Sequence, residues 1–118
     1  SGSISGTRKL PQFQIGTHVQ TIEGLTDHYL QVGKHRVKCR SEYEARYLAV
    51  CVQCFIEEAK VPKADKLLTK IVPELEREFA RVSKILSSEL KNINQPKLRA
   101  QVARALWHRL LNSHESPT

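Results

Sequence analysis

The chain has 118 residues, 40% of them hydrophobic and 26% charged, a length suited to one core and a balance that excludes wholesale disorder. Its 19 Lys and Arg against 12 Asp and Glu give a net charge of +7, which favours an anionic partner. No apolar run reaches the roughly 18 residues needed to span a bilayer, and an aromatic content of 6% leaves few ring faces on which single-stranded bases could stack.

Residues 1–12 read as a flexible linker from their polar, Ser- and Gly-containing start, and Ser1 to Gly6 has neither the basic nor the apolar region of a secretory signal. With no Met at its start, the chain is expected to be part of a larger protein. Three cysteines without a regular framework fit a reducing, intracellular compartment, cytoplasmic or nuclear. One domain is expected over 13–112, followed by a flexible tail over 113–118.

Phe13 to Ile22 holds a weak alternation that predicts one short strand. From His28 to Arg40 the pattern is clearer. Tyr29-Leu30-Gln31-Val32 and His35-Arg36-Val37-Lys38-Cys39 flank Gly33-Lys34, a pair suited to a tight II′ turn with Gly first. Along the second arm, Lys34, Arg36, Lys38 and Arg40 alternate with His35, Val37 and Cys39.

Ser41 and Glu44 have the spacing of a capping box and predict a helix that begins there and runs to about Lys60. Tyr47 to Ile56 is apolar except for Gln53, so this helix is expected to be the buried centre, with Tyr47, Leu48, Cys51, Cys54 and Phe55 inside. Pro62 ends it. A shorter helix follows through Leu67, Leu68, Ile71 and Val72, and Pro73 opens a third, where a missing N–H costs nothing. Leu75, Phe79, Val82, Leu86, Leu90 and Ile93 form its apolar stripe. After Asn94-Gln95-Pro96 a last amphipathic helix ends near Asn112, with Trp107 packed at the core edge. The expected fold is α+β and mostly helical: an N-terminal β-hairpin, or three short strands, packed on a bundle of about four helices.

Two basic surfaces stand out. Lys34, Arg36, Lys38 and Arg40 lie on one side of an extended strand at ~6.6 Å intervals, which reads either as a β-ribbon that tracks phosphates or as the solvated face of a half-buried hairpin whose cations discourage edge pairing. Lys97, Gln101, Arg104 and His108 share one face of the last helix, and no acid lies between Leu90 and Asn112. Arg77, Arg81, Lys84 and Lys91 also align on the third helix, but Glu74, Glu78 and Glu89 are interleaved with them and make that face an ordinary solvated one.

His35, Cys39, Cys51 and Cys54 have the number and chemistry of a tetrahedral zinc set. Cys51 and Cys54 nevertheless fall inside a helix rather than in a knuckle turn, and all four positions face the expected core, so they read as packing residues. No metal or cofactor is expected. The chain has no GxSxG, HExxH, P-loop or GxGxxG motif, and the spacing of Glu42, Glu44, Glu57, Glu58, His18, His28 and His114 selects no acid–base pair, so no catalysis is expected. The expected function is a nucleic-acid-binding module that meets phosphates through the hairpin cations and Lys97, Arg104 and His108. The alternative is a protein-interaction or assembly module of a larger protein, with an amphipathic helix laid against a protein partner.

Overall fold

A computed structural model describes residues 5–14, 16–91, 93–95, 97–98, 101–105 and 109. Strands β1 (Ser5–Lys9), β2 (Val19–Glu23), β3 (His28–Val32) and β4 (His35–Cys39) come first. They are followed by helix α1 (Glu42–Gln53), strand β5 (Glu58–Pro62) and helix α2 (Asp65–Leu90). Residues 97, 98, 101–105 and 109 are also helical.

β2, β3 and β4 form an antiparallel meander, and β1 and β5 pair antiparallel as a separate two-stranded sheet. The turn between β3 and β4 is the two-residue Gly33-Lys34 loop, with Val32 opposite His35. Gly33 has φ +59 while Lys34 has negative φ, as a II′ turn requires. Val32, Leu30 and Cys39 on the inner face of the meander are buried, and α1 packs there against β2 and β3 and, on its other side, against α2. Tyr47, Leu48, Cys51, Val52 and Cys54 are buried and Phe55 is half-buried, so α1 is the centre of the core.

The four-helix bundle expected from the sequence is not formed. Of the described residues, 47% are helical and 26% lie in strands, arranged as three helices and two small sheets. Two features account for the difference.

The first lies at the end of α1. Phe55 adopts φ +64, and its N–H donates to the Val52 carbonyl while that of Ile56 donates to the Cys51 carbonyl, the paired bonds of a Schellman motif. The helix therefore stops at Cys54 rather than near Lys60. The residues beyond it become β5, with Ala59 and Val61 buried at period two. Its partner β1 lies within the stretch read as linker, with Lys9 opposite Glu58 and Ser5 opposite Pro62. Glu58, Ala59 and Lys60 are adequate helix formers, so only this distant partner makes them a strand.

The second is Pro73, which sits inside α2 rather than at a helix start. Its missing N–H and its ring cost about 3 kcal/mol in a helix interior. Leu68, Val72 and Leu75, on either side of it, are essentially fully buried, and each contributes about 1.5–3 kcal/mol. A break at Pro73 would re-aim Leu75 away from the core. Pro73 itself is exposed, so water can satisfy the Thr69 carbonyl freed by the missing N–H.

The left-handed backbone at Phe55 is costly for a residue with a Cβ. Its ring compensates: it meets Phe13 edge to face with centroids 5.4 Å apart, and the Arg104 guanidinium lies over it at 5.3 Å. Phe55→Gly and Phe55→Ala should both be less stable than wild type in urea titrations. Phe55→Gly should nevertheless exceed Phe55→Ala by about 0.5–1 kcal/mol, the reverse of the usual order, because only Gly takes this conformation freely. Equal stability of the two variants would mean that this backbone is not held in solution.

Candidate nucleic-acid interface

The outer face of the meander is built from two levels of three side chains. The registers place Gln20, Gln31 and Arg36 side by side across β2, β3 and β4, and Ile22, Tyr29 and Lys38 at the next level. None of these six positions carries a carboxylate. Lys34 extends the row at the turn, and Lys34, Arg36 and Lys38 are all exposed.

Arg36 is held in place on this face. The Gln31 amide nitrogen donates to the Gly33 carbonyl at 3.1 Å, which orients the amide so that its oxygen accepts from Arg36 Nη2, also at 3.1 Å. The Arg36 guanidinium also lies 5.3 Å from the centroid of the Tyr29 ring, a cation–π contact. Lys38 stands 3.7 Å from Asp27, whose other oxygen accepts from the Tyr29 hydroxyl at 3.3 Å. This exposed ion pair is weak. Tyr29 and Gln31 were legible as the polar alternates of Leu30 and Val32. Gln20 and Ile22 depended on the β2–β3 register, which the weak pattern of Phe13 to Ile22 did not define.

Arg40, the fourth cation of the row, is used differently. Its Nη2 donates to the Pro62 carbonyl at 3.1 Å and lies 4.0 Å from Glu44. Glu44 is 3% exposed and accepts from the Arg40 backbone N–H at 2.7 Å and from Arg8 Nη1 at 2.9 Å. Arg8 Nη2 also donates to the Lys38 carbonyl. The Ser41 hydroxyl caps α1 by accepting from the Glu44 N–H at 3.2 Å. In the usual capping box the carboxylate reaches the N–H of the cap residue. Here it reaches one residue further back, to Arg40, and so ties β1, the end of β4 and the start of α1 to one buried group.

On the last helical segment Lys97, Gln101 and Arg104 are exposed, and Arg104 leans on Phe55 beside the C-terminal end of α1. Arg40 adjoins the other end, a helix length of about 18 Å away, so the structure does not merge Arg104 with the end of the hairpin row. His108 and Trp107 lie outside the described residues. On α2 the Arg81 side chain pairs with Glu78 at 2.7 Å. Arg46 binds Glu76 through two nitrogens, linking α1 to α2.

The four residues weighed as zinc ligands are not gathered. His35 is exposed, whereas Cys39, Cys51 and Cys54 are buried and in no disulfide. Burial, and secondarily the Glu44 carboxylate, push the Cys39 thiol up to about 11, and burial also raises that of Cys54. Both are neutral thiols near pH 7 and pack as small apolar groups. Among the described residues no group of three or more His, Cys, Asp or Glu side chains could hold a metal ion. Glu57 and Glu58 line a shallow hollow with Lys9, Leu10 and Gln12, and both carboxylates are exposed. No helix among the described residues is long and apolar enough to cross a membrane. No protein-family model matches the chain, and no curated protein or solved structure matches it.

Proposed function

We propose that the chain is a non-catalytic nucleic-acid-binding module that meets phosphates through the outer face of its β-meander. The observation that carries this reading is the line of exposed cations Lys34, Arg36 and Lys38 on a sheet face whose paired strand positions hold no carboxylate, with Asp27 at its edge as the acid beside Lys38. A face that served only for solvation would be expected to mix signs, as the exposed side of α2 does with Glu74, Glu78 and Arg81. The bonds that fix Arg36 reduce the side-chain entropy lost on meeting a phosphate. Lys97 and Arg104 on the last helical segment are further contacts in this reading, with Arg104 braced by Phe55, and His108 belongs to the same proposed set.

The test is binding of the wild-type protein to duplex and single-stranded oligonucleotides over a salt series. Affinity should fall steeply as salt rises and should depend little on sequence, because phosphates rather than base edges are contacted. Absence of salt-sensitive binding at about 50 mM salt would refute the reading. The protein-interaction alternative would then lead, supported by the exposed apolar side chains Ile85 on α2 and Leu98 on the last segment.

A further inference from the structure

The sequence separates the hairpin cations from a second cationic run, Lys60, Lys63, Lys66 and Lys70, in which the only acid is Asp65. The fold brings the two runs together. Arg40 Nη2 donates to the carbonyl of Pro62, the residue before Lys63. The Ser41 hydroxyl donates to the Asp65 carboxylate at 2.6 Å, so the start of α2 is fastened to the start of α1 directly beyond the end of β4. That hydrogen bond also engages the one acid of the second run. Lys63, Lys66 and Lys70 are all exposed. Lys66 and Lys70 are four residues apart on the side of α2 opposite Leu68, Val72 and Leu75, and face outward together.

Resting on the reading of the meander as a phosphate-binding face, we propose that the cationic row continues across Arg40 onto Lys63, Lys66 and Lys70, and that its ligand is double-stranded nucleic acid. The surface chemistry supports this. A single strand is held largely by stacking on exposed rings, and the meander's outer face offers only Tyr29, whose ring is already covered by Arg36. Arg40 acts within this row as a positioning residue, since its guanidinium is spent on Pro62 and Glu44.

The experiment compares two double variants of equal charge, Lys66→Gln/Lys70→Gln in the first turns of α2 and Lys84→Gln/Lys91→Gln near its C-terminal end. Fluorescence anisotropy is read with a duplex of about 21 base pairs, two helical turns, and with one of its strands alone. The first variant should bind the duplex about tenfold more weakly, with the log–log salt slope lower by about 2. The second should change affinity less than about threefold, as a purely long-range charge effect. Wild type should prefer the duplex. Equal losses in the two variants, or a single strand bound as tightly as the duplex, would overturn the proposal. If the Lys66→Gln/Lys70→Gln protein binds as wild type does while reversal of the meander cations removes binding, the extension fails and the meander face stands alone. No salt-sensitive binding by wild type removes both.

Discussion

Reversing Lys34, Arg36 and Lys38 together to Glu is expected to weaken duplex binding by roughly 100-fold or more at moderate salt, taking about 1 kcal/mol for each lost charge-assisted contact. The log–log salt slope should fall by roughly 2 to 3, since each lost phosphate contact removes ~0.9. The loss should be uniform across sequences, because these side chains meet the backbone rather than base edges. Fold should be retained. All three residues are exposed, while the inward set of the same sheet, Leu30, Val32 and Cys39, is untouched. Arg40 is left out because it is tied to Pro62 and Glu44, so its reversal would confuse binding with stability. Parallel anisotropy titrations and circular dichroism read both quantities. A correctly folded triple variant with wild-type affinity and slope would show that the meander is not the contact surface.

Glu44→Ala is expected to destabilise the domain by about 3 kcal/mol, within the range for breaking a buried ion pair from one side. Three losses combine at this position: the partner of Arg8, the acceptor for the Arg40 backbone N–H, and a carboxylate in the first turn of α1. For a domain of this size the melting temperature should drop by roughly 10 °C. Arg8→Ala should cost less, because Arg8 is about one-third exposed and water can take over part of its solvation. The double variant should fall short of the sum by more than about 0.5 kcal/mol, as expected for residues in one network. Full additivity in urea titrations would show that the Arg8–Glu44 contact contributes nothing. Because the same group holds the end of β4, loss of Glu44 should also lower the affinity of the meander face.

Several elements were legible locally because local sequence specifies them. The Gly33-Lys34 turn follows from a backbone angle only Gly takes readily, and alternation alone places Arg36 and Lys38 on the outer side of β4. Ser41 marks the start of α1 through its own hydroxyl. The unbroken apolar run from Tyr47 puts that helix in the core, and with it Cys51 and Cys54 as packing groups. Each of these depends on residues no more than a few positions apart.

Tertiary structure decided what depended on a distant partner. β5 is a strand because β1, some fifty residues earlier in the chain, supplies its hydrogen bonds and because Phe55 tolerates a left-handed backbone when Phe13 and Arg104 pack on its ring. α2 runs through Pro73 because burial of Leu68, Val72 and Leu75 outweighs the cost of one proline, a comparison invisible until the packing surface exists. Arg40 changed from a free cation to a tether because Glu44 and Pro62 converge on it. The segment that carries Lys63 meets the end of β4 only through the Arg40–Pro62 and Ser41–Asp65 hydrogen bonds. The residue types and their direction were local properties of the chain, whereas which cations share a surface is set by contacts between segments and had to await the fold.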